Sequence, residues 1–342
     1  MIFRKQSLLA AISLLLLTGS STALSEDNYV PADLEKGAVK FQGWDRYLGS
    51  SFYGTMTDNK DVVGKDEGTS TTLGLRLEGA LDFRRDANEW RNSLNLLTAW
   101  SRTPVLDDYL KSEDSLVVDS IYLFHLEDIP WAGPFVRANA DTALFAGYDT
   151  RPEEVTYLIT RKDGSLQSET DTRLQMTESL RPLKLKESVG FFVQPLSHPL
   201  ASIELRTGVG FRQLYADGQY VLNDDSTTES IEVKEITDYR KSGLELGSII
   251  EGRTPNKRVT YKLTGDILFP TYESPEPAGD ERTDFDKRIV EVDGKVSFHL
   301  IEWASLDYLL KAVRDPDILD DTQISQSLML SINQIITPRR AH

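Results

Sequence analysis

The chain has 342 residues, a formal charge of −16 and no cysteine. The lack of cysteine excludes disulfides and thiolate metal sites, and so acidic a chain is poorly suited to binding nucleic acid. A hydrophobic content of 39% is ordinary and does not by itself select a fold class.

Residues 1–23 have the three parts of a secretory signal peptide. Arg4 and Lys5 precede an apolar run at 8–17, and small residues end the segment at Ala23. The run is ten residues long, whereas a membrane-spanning helix needs about 20. We therefore expect cleavage after Ala23, which removes two basic residues and takes the formal charge from −16 to −18.

A polar segment at 24–49 follows, which we interpret as a periplasmic N-terminal extension. Beyond it, segment after segment alternates apolar and polar residues, and a period of two places these on opposite faces of a β-strand. The pattern predicts twelve strands, at 50–57, 71–83, 90–101, 115–127, 134–160, 165–194, 201–215, 240–252, 257–270, 285–300, 303–313 and 322–337.

No stretch after the signal has the length and apolarity of a membrane helix, so a membrane form of this chain must be a closed barrel. The sequence therefore predicts an all-β fold, an antiparallel transmembrane β-barrel of about 12 strands over 50–337, with a tail at 338–342. Such barrels are typical of the outer membrane of Gram-negative bacteria.

The predicted fifth and sixth strands, 134–160 and 165–194, are unusually long. We interpret them as a tall hairpin that turns at Lys162-Asp163-Gly164 and projects beyond the bilayer. Pro182 predicts a bulge or break in the second of these strands.

The lengths of the connections support this strand count. Apart from the tip of the tall hairpin, long and short connections alternate, as they do in known barrels. The long ones, predicted to be external, are 58–70, 102–114, 216–239, 271–284 and 314–321, and the short ones are 84–89, 128–133, 195–200, 253–256 and 301–302. Four tryptophans at or near strand ends fit the interface aromatics expected of a spanning barrel, namely Trp90, Trp100, Trp131 and Trp303.

The charged residues of the strands fall on the face opposite the apolar one, which in a barrel is the lumen. The predicted lumen-lining residues are Arg76, Glu78, Arg137, Asp141, Glu204, Arg206, Arg212, Lys262, Asp266, Glu291, Lys295, Asp307 and Lys311. Two interpretations remain open. In one, ion pairs brace the wall and fill the interior; in the other, the same residues line a narrow polar pore.

The five long connections carry 24 acidic and 7 basic residues. A cluster of four carboxylates at Asp315, Asp317, Asp320 and Asp321 is a calcium candidate because oxygen ligands suit Ca²⁺, although its spacing matches no complete calcium loop. The alternative is that these are solvated, mutually repelling loops. Bridging of divalent ions to lipopolysaccharide is a further option.

One pair of residues resembles a catalytic dyad. Ser297 and His299 lie two apart on one predicted strand, so their side chains share a face, and a hydroxyl–imidazole pair can perform acyl transfer. The alternation places both in the lumen, away from lipid, and no orienting third group is evident. We therefore predict that the protein is not an enzyme, and we find no cofactor-binding motif.

Several motifs resemble an uncharacterised family of Gram-negative outer-membrane β-barrels, a domain-of-unknown-function family. The similarity runs from Gly43 to Ile336, and it implies an exported barrel without assigning a substrate. The motifs are Asp61-Val62-Val63-Gly64, Glu89-Trp90-Arg91-Asn92, Ser101-Arg102-Thr103-Pro104, Ile121-Tyr122-Leu123-Phe124-His125, Trp131-Ala132-Gly133-Pro134-Phe135, Arg181-Pro182-Leu183 and Glu302-Trp303-Ala304-Ser305-Leu306-Asp307-Tyr308.

Three functions follow as hypotheses. The first is porin-like passage of small polar solutes, the second a structural or surface-interaction barrel with a filled lumen and acidic external loops, and the third a lipid-acting hydrolase. Expected partners are outer-membrane lipid and lipopolysaccharide, the outer-membrane assembly machinery and small polar solutes, with no nucleic acid.

Overall fold

A computed structural model describes residues 42–59, 68–198, 200–223, 228–275, 282–283, 285–318 and 322–337. Sixteen strands lie in this part of the chain. Twelve of them form the wall of one barrel: β1 (Gly43–Asn59), β2 (Gly68–Arg85), β3 (Asn88–Thr103), β4 (Leu106–Phe124), β5 (Ala132–Thr142), β8 (Leu183–His198), β9 (Ala201–Tyr215), β12 (Tyr239–Arg253), β13 (Val259–Ser274), β14 (Ile289–Ile301), β15 (Ala304–Arg314) and β16 (Gln323–Thr337). The other four are β6 (Gly147–Thr160), β7 (Leu166–Thr177), β10 (Tyr220–Leu222) and β11 (Ile231–Glu235).

The barrel is closed, with the strand order β1-β16-β15-β14-β13-β12-β9-β8-β5-β4-β3-β2, and all its neighbouring strands are antiparallel. The prediction of a twelve-stranded antiparallel barrel is confirmed. Within the described residues, no helix is long and apolar enough to cross a membrane.

The first strand differs from its prediction in length. It begins at Gly43, so part of the predicted extension at 24–49 belongs to the barrel wall. The predicted signal peptide at 1–23, the rest of the extension up to residue 41 and the tail at 338–342 lie outside the described residues.

Alternation along each strand separates the two faces of the wall. On β9, Leu205 and Val209 point outward and are 43% and 49% exposed, whereas Glu204, Arg206 and Arg212 point inward and are 3%, 7% and 4% exposed. This is the reverse of a water-soluble barrel, in which apolar side chains fill the interior. The outside of the wall is apolar and the inside is charged.

The tall hairpin is not made of two continuous strands, so that prediction is wrong in its details. The predicted strand 134–160 divides into β5 and β6, and 165–194 divides into β7 and β8, with the second break at the position of Pro182. The predicted turn is present: Arg161 N–H donates to the Ser165 carbonyl at 2.9 Å, and Gly164 adopts a positive φ of 80°.

The predicted connection 216–239 contains the two short strands β10 and β11. They join the upper hairpin in a separate sheet with the order β10-β11-β6-β7, which we call the cap. β11 pairs in parallel with β6, with Ile231 opposite Tyr157. A small buried apolar cluster holds the cap together, and it consists of Tyr157, Ile159, Leu174 and Val233.

A second apolar cluster lies where the connections after β9 and β15 meet the barrel wall. We call it the mouth cluster: Leu214, Ala216, Ile236, Tyr239, Leu268, Ile289 and Ile318. Because its members come from four wall strands and two connections, it ties the loops of this end of the barrel to the wall.

Candidate functional site

The lumen is the candidate site, because the predicted lumen-lining charges meet there in ion pairs. The pairs are Arg76 with Asp307 at 3.5 Å, Glu78 with Lys295 at 2.9 Å, Arg137 with Asp266 at 3.2 Å, Asp141 with Lys311 at 3.7 Å, Glu204 with Arg206 at 3.9 Å, Arg212 with Glu245 at 2.7 Å and Glu291 with Lys186. Lys262 lies on β13 in the same alternation as Asp266.

Several of these pairs cross the lumen instead of joining neighbouring strands. Arg137 on β5 and Asp266 on β13 are four positions apart in the strand order, as are Lys295 on β14 and Glu78 on β2. Asp141 on β5 and Lys311 on β15 are six positions apart, which in a twelve-stranded barrel is directly opposite. The interior is therefore spanned by side chains at more than one level.

The two sides of the lumen differ in their access to water. On β9 and β12, the side chains of Glu204, Arg206, Arg212 and Glu245 are only 4–7% exposed. On β14 and β15, those of Lys295 and Lys311 are 33% and 50% exposed, although they also point inward. Arg137 on β5 and Asp266 on β13, 14% and 11% exposed, belong with the first group, which we call the packed side. We call the second group, which includes β16, the open side.

Glycines make room for some of these side chains on the packed side. A Cβ on Gly210 would lie 2.4 Å from Glu245 Oε2, and one on Gly247 would lie 2.9 Å from Asp266 Oδ1. Both positions therefore leave space in which a neighbouring carboxylate lies flat against the wall.

A polar cluster at the end of the barrel that carries the β2–β3 and β4–β5 connections was missed from the sequence. Glu89 accepts from Arg91 Nε at 2.5 Å and contacts His125 Nε2 at 2.9 Å, while Arg91 Nη1 donates to Glu204 at 2.8 Å on the far wall. The signal was available, because an outward Trp90 places Glu89 and Arg91 inward by alternation.

Ser297 and His299 lie in the lumen, as their alternation predicts, but in different contacts. Ser297 is paired across the ladder with Asp307 and interacts with its carboxylate, whereas His299 Nε2 is 3.1 Å from Thr260 Oγ1. Asp307 also accepts from Ser305 at 2.9 Å and Ser331 at 2.8 Å. These contacts make Asp307 the centre of a hydroxyl cluster that braces the wall.

A small cavity lies against this hydroxyl cluster. It is on the open side, and its polar lining includes Ser51, Glu78, Lys295, His299 and Asn333. Hydroxyl, amide and charged groups of both signs therefore face the same space.

The two described carboxylates of the calcium candidate, Asp315 and Asp317, are bound by neighbouring side chains. Asp315 is buried and accepts from Tyr239 Oη at 2.6 Å, and Asp317 contacts the buried ammonium of Lys241 and Arg282 Nη2. Asp320 and Asp321 lie outside the described residues. In the part of the chain that the structure describes, no group of three metal-binding side chains is arranged around a common point.

The two described carboxylates of this segment titrate differently. Burial raises the pKa of Asp315, against the effect of the Tyr239 hydrogen bond. Burial also acts to raise the pKa of Asp317, but the adjacent Lys241 outweighs it and holds that pKa below its usual range.

The four predicted interface tryptophans all lie on the outside of the barrel, with 37–52% of their surfaces exposed. Trp44, which the sequence analysis did not select, packs against Trp90 with ring centroids 6.0 Å apart. Trp44 was not selected because the first strand was predicted to begin at residue 50, whereas β1 begins at Gly43.

No protein-family model matches the chain, and no curated protein matches it significantly. Among solved structures, it is similar to an outer membrane channel from Pseudomonas putida F1, with 12% identity over 90% of this chain and 99% of the other and a TM-score of 0.39. It is also similar to the β domain of the Bordetella autotransporter BrkA, with 10% identity over 85% of this chain and 99% of the other and a TM-score of 0.31. A third similar structure is Pseudomonas putida OprB, with 8% identity over 86% of this chain and 94% of the other and a TM-score of 0.24. The fold assignment rests on the strand pairing of this chain itself.

Proposed function

We propose that the protein is an outer-membrane β-barrel that gives passage to small polar solutes through the open side of its lumen. The observation that supports this is the inverted wall: apolar side chains cover the outside of a closed barrel, and charged ones cover its inside. Such a surface is stable in a bilayer, where strand edges and charges must be shielded from hydrocarbon.

The composition of the open side suggests which solutes fit. Lys295 and Glu78 form one pair of opposite charges and Lys311 and Asp141 another, so neither sign dominates. Paired charges in a narrow path orient polar solutes without excluding cations or anions. We therefore expect small ions of both signs to pass, with low conductance because the ion pairs narrow the path.

The test is single-channel conductance of the refolded protein in a planar bilayer. A shift in gel mobility on boiling shows first that the barrel has formed. Discrete current steps with a reversal potential near zero in a salt gradient are the expected result. Folded protein that produces no steps would contradict the proposal.

A second candidate function is favoured by the ion pairs that cross the lumen. A barrel whose interior is filled by such pairs acts as a rigid support, and its cap is then the functional surface. In that case, neutralising Lys295 and Glu78 together would still give no current, whereas a constricted pore would gain conductance from the same change.

A further inference from the structure

The seam between the first and last strands of the barrel is paired over only part of its length. β1 and β16 pair from Leu48 opposite Thr337 to Gly54 opposite Leu330. Beyond Gly54, β1 continues to Asn59 and pairs only with β2 among the described strands. Likewise, residues 323–329 of β16 pair with β15 and with no other strand that the structure describes.

A side chain from another strand marks the point at which the two strands separate. Glu113 on β4 accepts from Tyr53 Oη on β1 at 2.8 Å and from Ser327 Oγ on β16 at 3.2 Å. One carboxylate thus contacts both sides of the seam from within the lumen: Tyr53 in its paired part and Ser327 in the unpaired segment of β16. The position of the opening is therefore fixed by specific contacts.

The inner face of the opening is polar. Asp293, Lys311 and Ser325 are directly opposite one another on β14, β15 and β16, and all three are exposed although they point inward. Water on this side can satisfy backbone groups that have no strand partner, which hydrocarbon cannot do. This row belongs to the open side of the lumen.

The outer rim of the same opening is apolar. Met56 on β1 and Ile324 and Leu328 on β16 are 74%, 63% and 59% exposed. A charged inner row and an apolar rim therefore flank the same part of the seam, where the described residues of β1 and β16 are not paired with each other.

We infer that the unpaired part of the β1–β16 seam is a lateral opening between the lumen and the surrounding membrane, suited to an amphiphile with an alkyl chain. The polar head contacts the row of Asp293, Lys311 and Ser325, and the chain lies against the apolar rim. This inference goes beyond passage of small polar solutes, because it does not require the lumen to conduct.

The first test uses pairs of introduced cysteines, which the cysteine-free chain makes simple to interpret. Phe52 and Ile332 are opposite each other in the paired part of the seam. Met56 and Leu328 would be opposite each other if the same register continued. On mild oxidation, Phe52→Cys/Ile332→Cys is expected to form a disulfide, and Met56→Cys/Leu328→Cys is expected to keep its free thiols. Equal disulfide yields in both variants would overturn the inference.

The second test asks whether an amphiphile reaches the lumen from the membrane. Ser325→Cys, in lipid vesicles, is treated either with dodecyl methanethiosulfonate dissolved in the lipid or with its water-soluble trimethylammonium-ethyl analogue. Both reagents are expected to modify it, whereas the outward control Leu330→Cys reacts only with the dodecyl reagent. Modification of Ser325→Cys by the water-soluble reagent alone, or by neither, would contradict a lateral opening. Conductance is measured separately, so failure of one proposal does not imply failure of the other.

Discussion

The substitution Arg137→Ala tests whether the packed side of the lumen depends on ion pairs across the barrel. Arg137 Nε donates to Asp119 Oδ2 at 2.8 Å, and its Nη1 donates to Asp266 Oδ2 at 3.2 Å. Its side chain is only 14% exposed. The substitution leaves two largely buried carboxylates without their shared cation.

The expected magnitude follows from what remains after the change. Removing one partner of a buried pair costs about 3–5 kcal/mol, because the other charge stays buried. Here Asn139 still donates to Asp119 at 3.1 Å, and Arg206 stays 3.8 Å from Asp266. We therefore expect a loss near the lower limit, about 3 kcal/mol of unfolding free energy.

Lys311→Ala is the matched control, since it also breaks a pair that crosses the lumen. Its side chain is 50% exposed and 3.7 Å from Asp141, so water screens the pair and the expected loss is below about 1 kcal/mol. Urea unfolding of both variants in lipid vesicles, followed by tryptophan fluorescence, measures the difference. Equal losses would refute the distinction between a packed and an open side.

Three further predictions concern the wall, the cap and ion selectivity. In Gly74→Ala the new Cβ would lie 2.1 Å from the Tyr53 ring, so we expect the ring to be displaced and the urea midpoint of unfolding to fall. In the control Gly79→Ala the nearest atom is 3.8 Å away, so we expect no change in that midpoint. Burial, reinforced by a hydrogen bond to a carboxylate, raises the pKa of Tyr157 to about 12. This phenol thus stabilises the folded cap fully below its ordinary pKa near 10 and less as the pH rises through about 12. When the protein is titrated with alkali and followed by tyrosinate absorbance, Tyr157→Phe should lack one phenol that ionises at unusually high pH. An unchanged titration curve would contradict this. Lys311→Gln is expected to make the current cation-selective, because the carboxylates that face Lys311 remain. A shifted reversal potential in a salt gradient would show this.

Most of the barrel wall was predictable because a period of two is a local signal. The predicted connection 102–114 was wrong, since β3 runs to Thr103 and β4 begins at Leu106. The division of the tall hairpin was not, because residues 143–146 read Ala-Leu-Phe-Ala and contain no turn signal. The bend there is held from another strand, since Asp114 accepts from the backbone N–H groups of Leu144 at 3.1 Å and Phe145 at 2.7 Å. β10 and β11 were missed for a similar reason: they are three and five residues long, and pairing with distant residues stabilises them.

The candidate site was predictable as a set of residues but not as a set of contacts. Alternation identifies which charges face inward, whereas strand order and stagger decide which cation meets which anion. Lys295 and Glu78 are 217 residues apart in the chain, and Lys241 meets carboxylates of both β13 and the segment after β15. The incomplete pairing of the seam could not be predicted either, because both of its strands alternate normally and only the pairing between them reveals where it ends.

The parallel pairing of β11 with β6 makes two insertions of the chain depend on each other. Each interrupts the barrel between two wall strands that are already neighbours, β5 with β8 and β9 with β12, so neither is needed to close the wall. The cap, however, buries Tyr157 from one insertion against Val233 from the other. A homologous chain that lost only one insertion would expose this apolar surface to water, so the two are expected to be gained, lengthened or lost together.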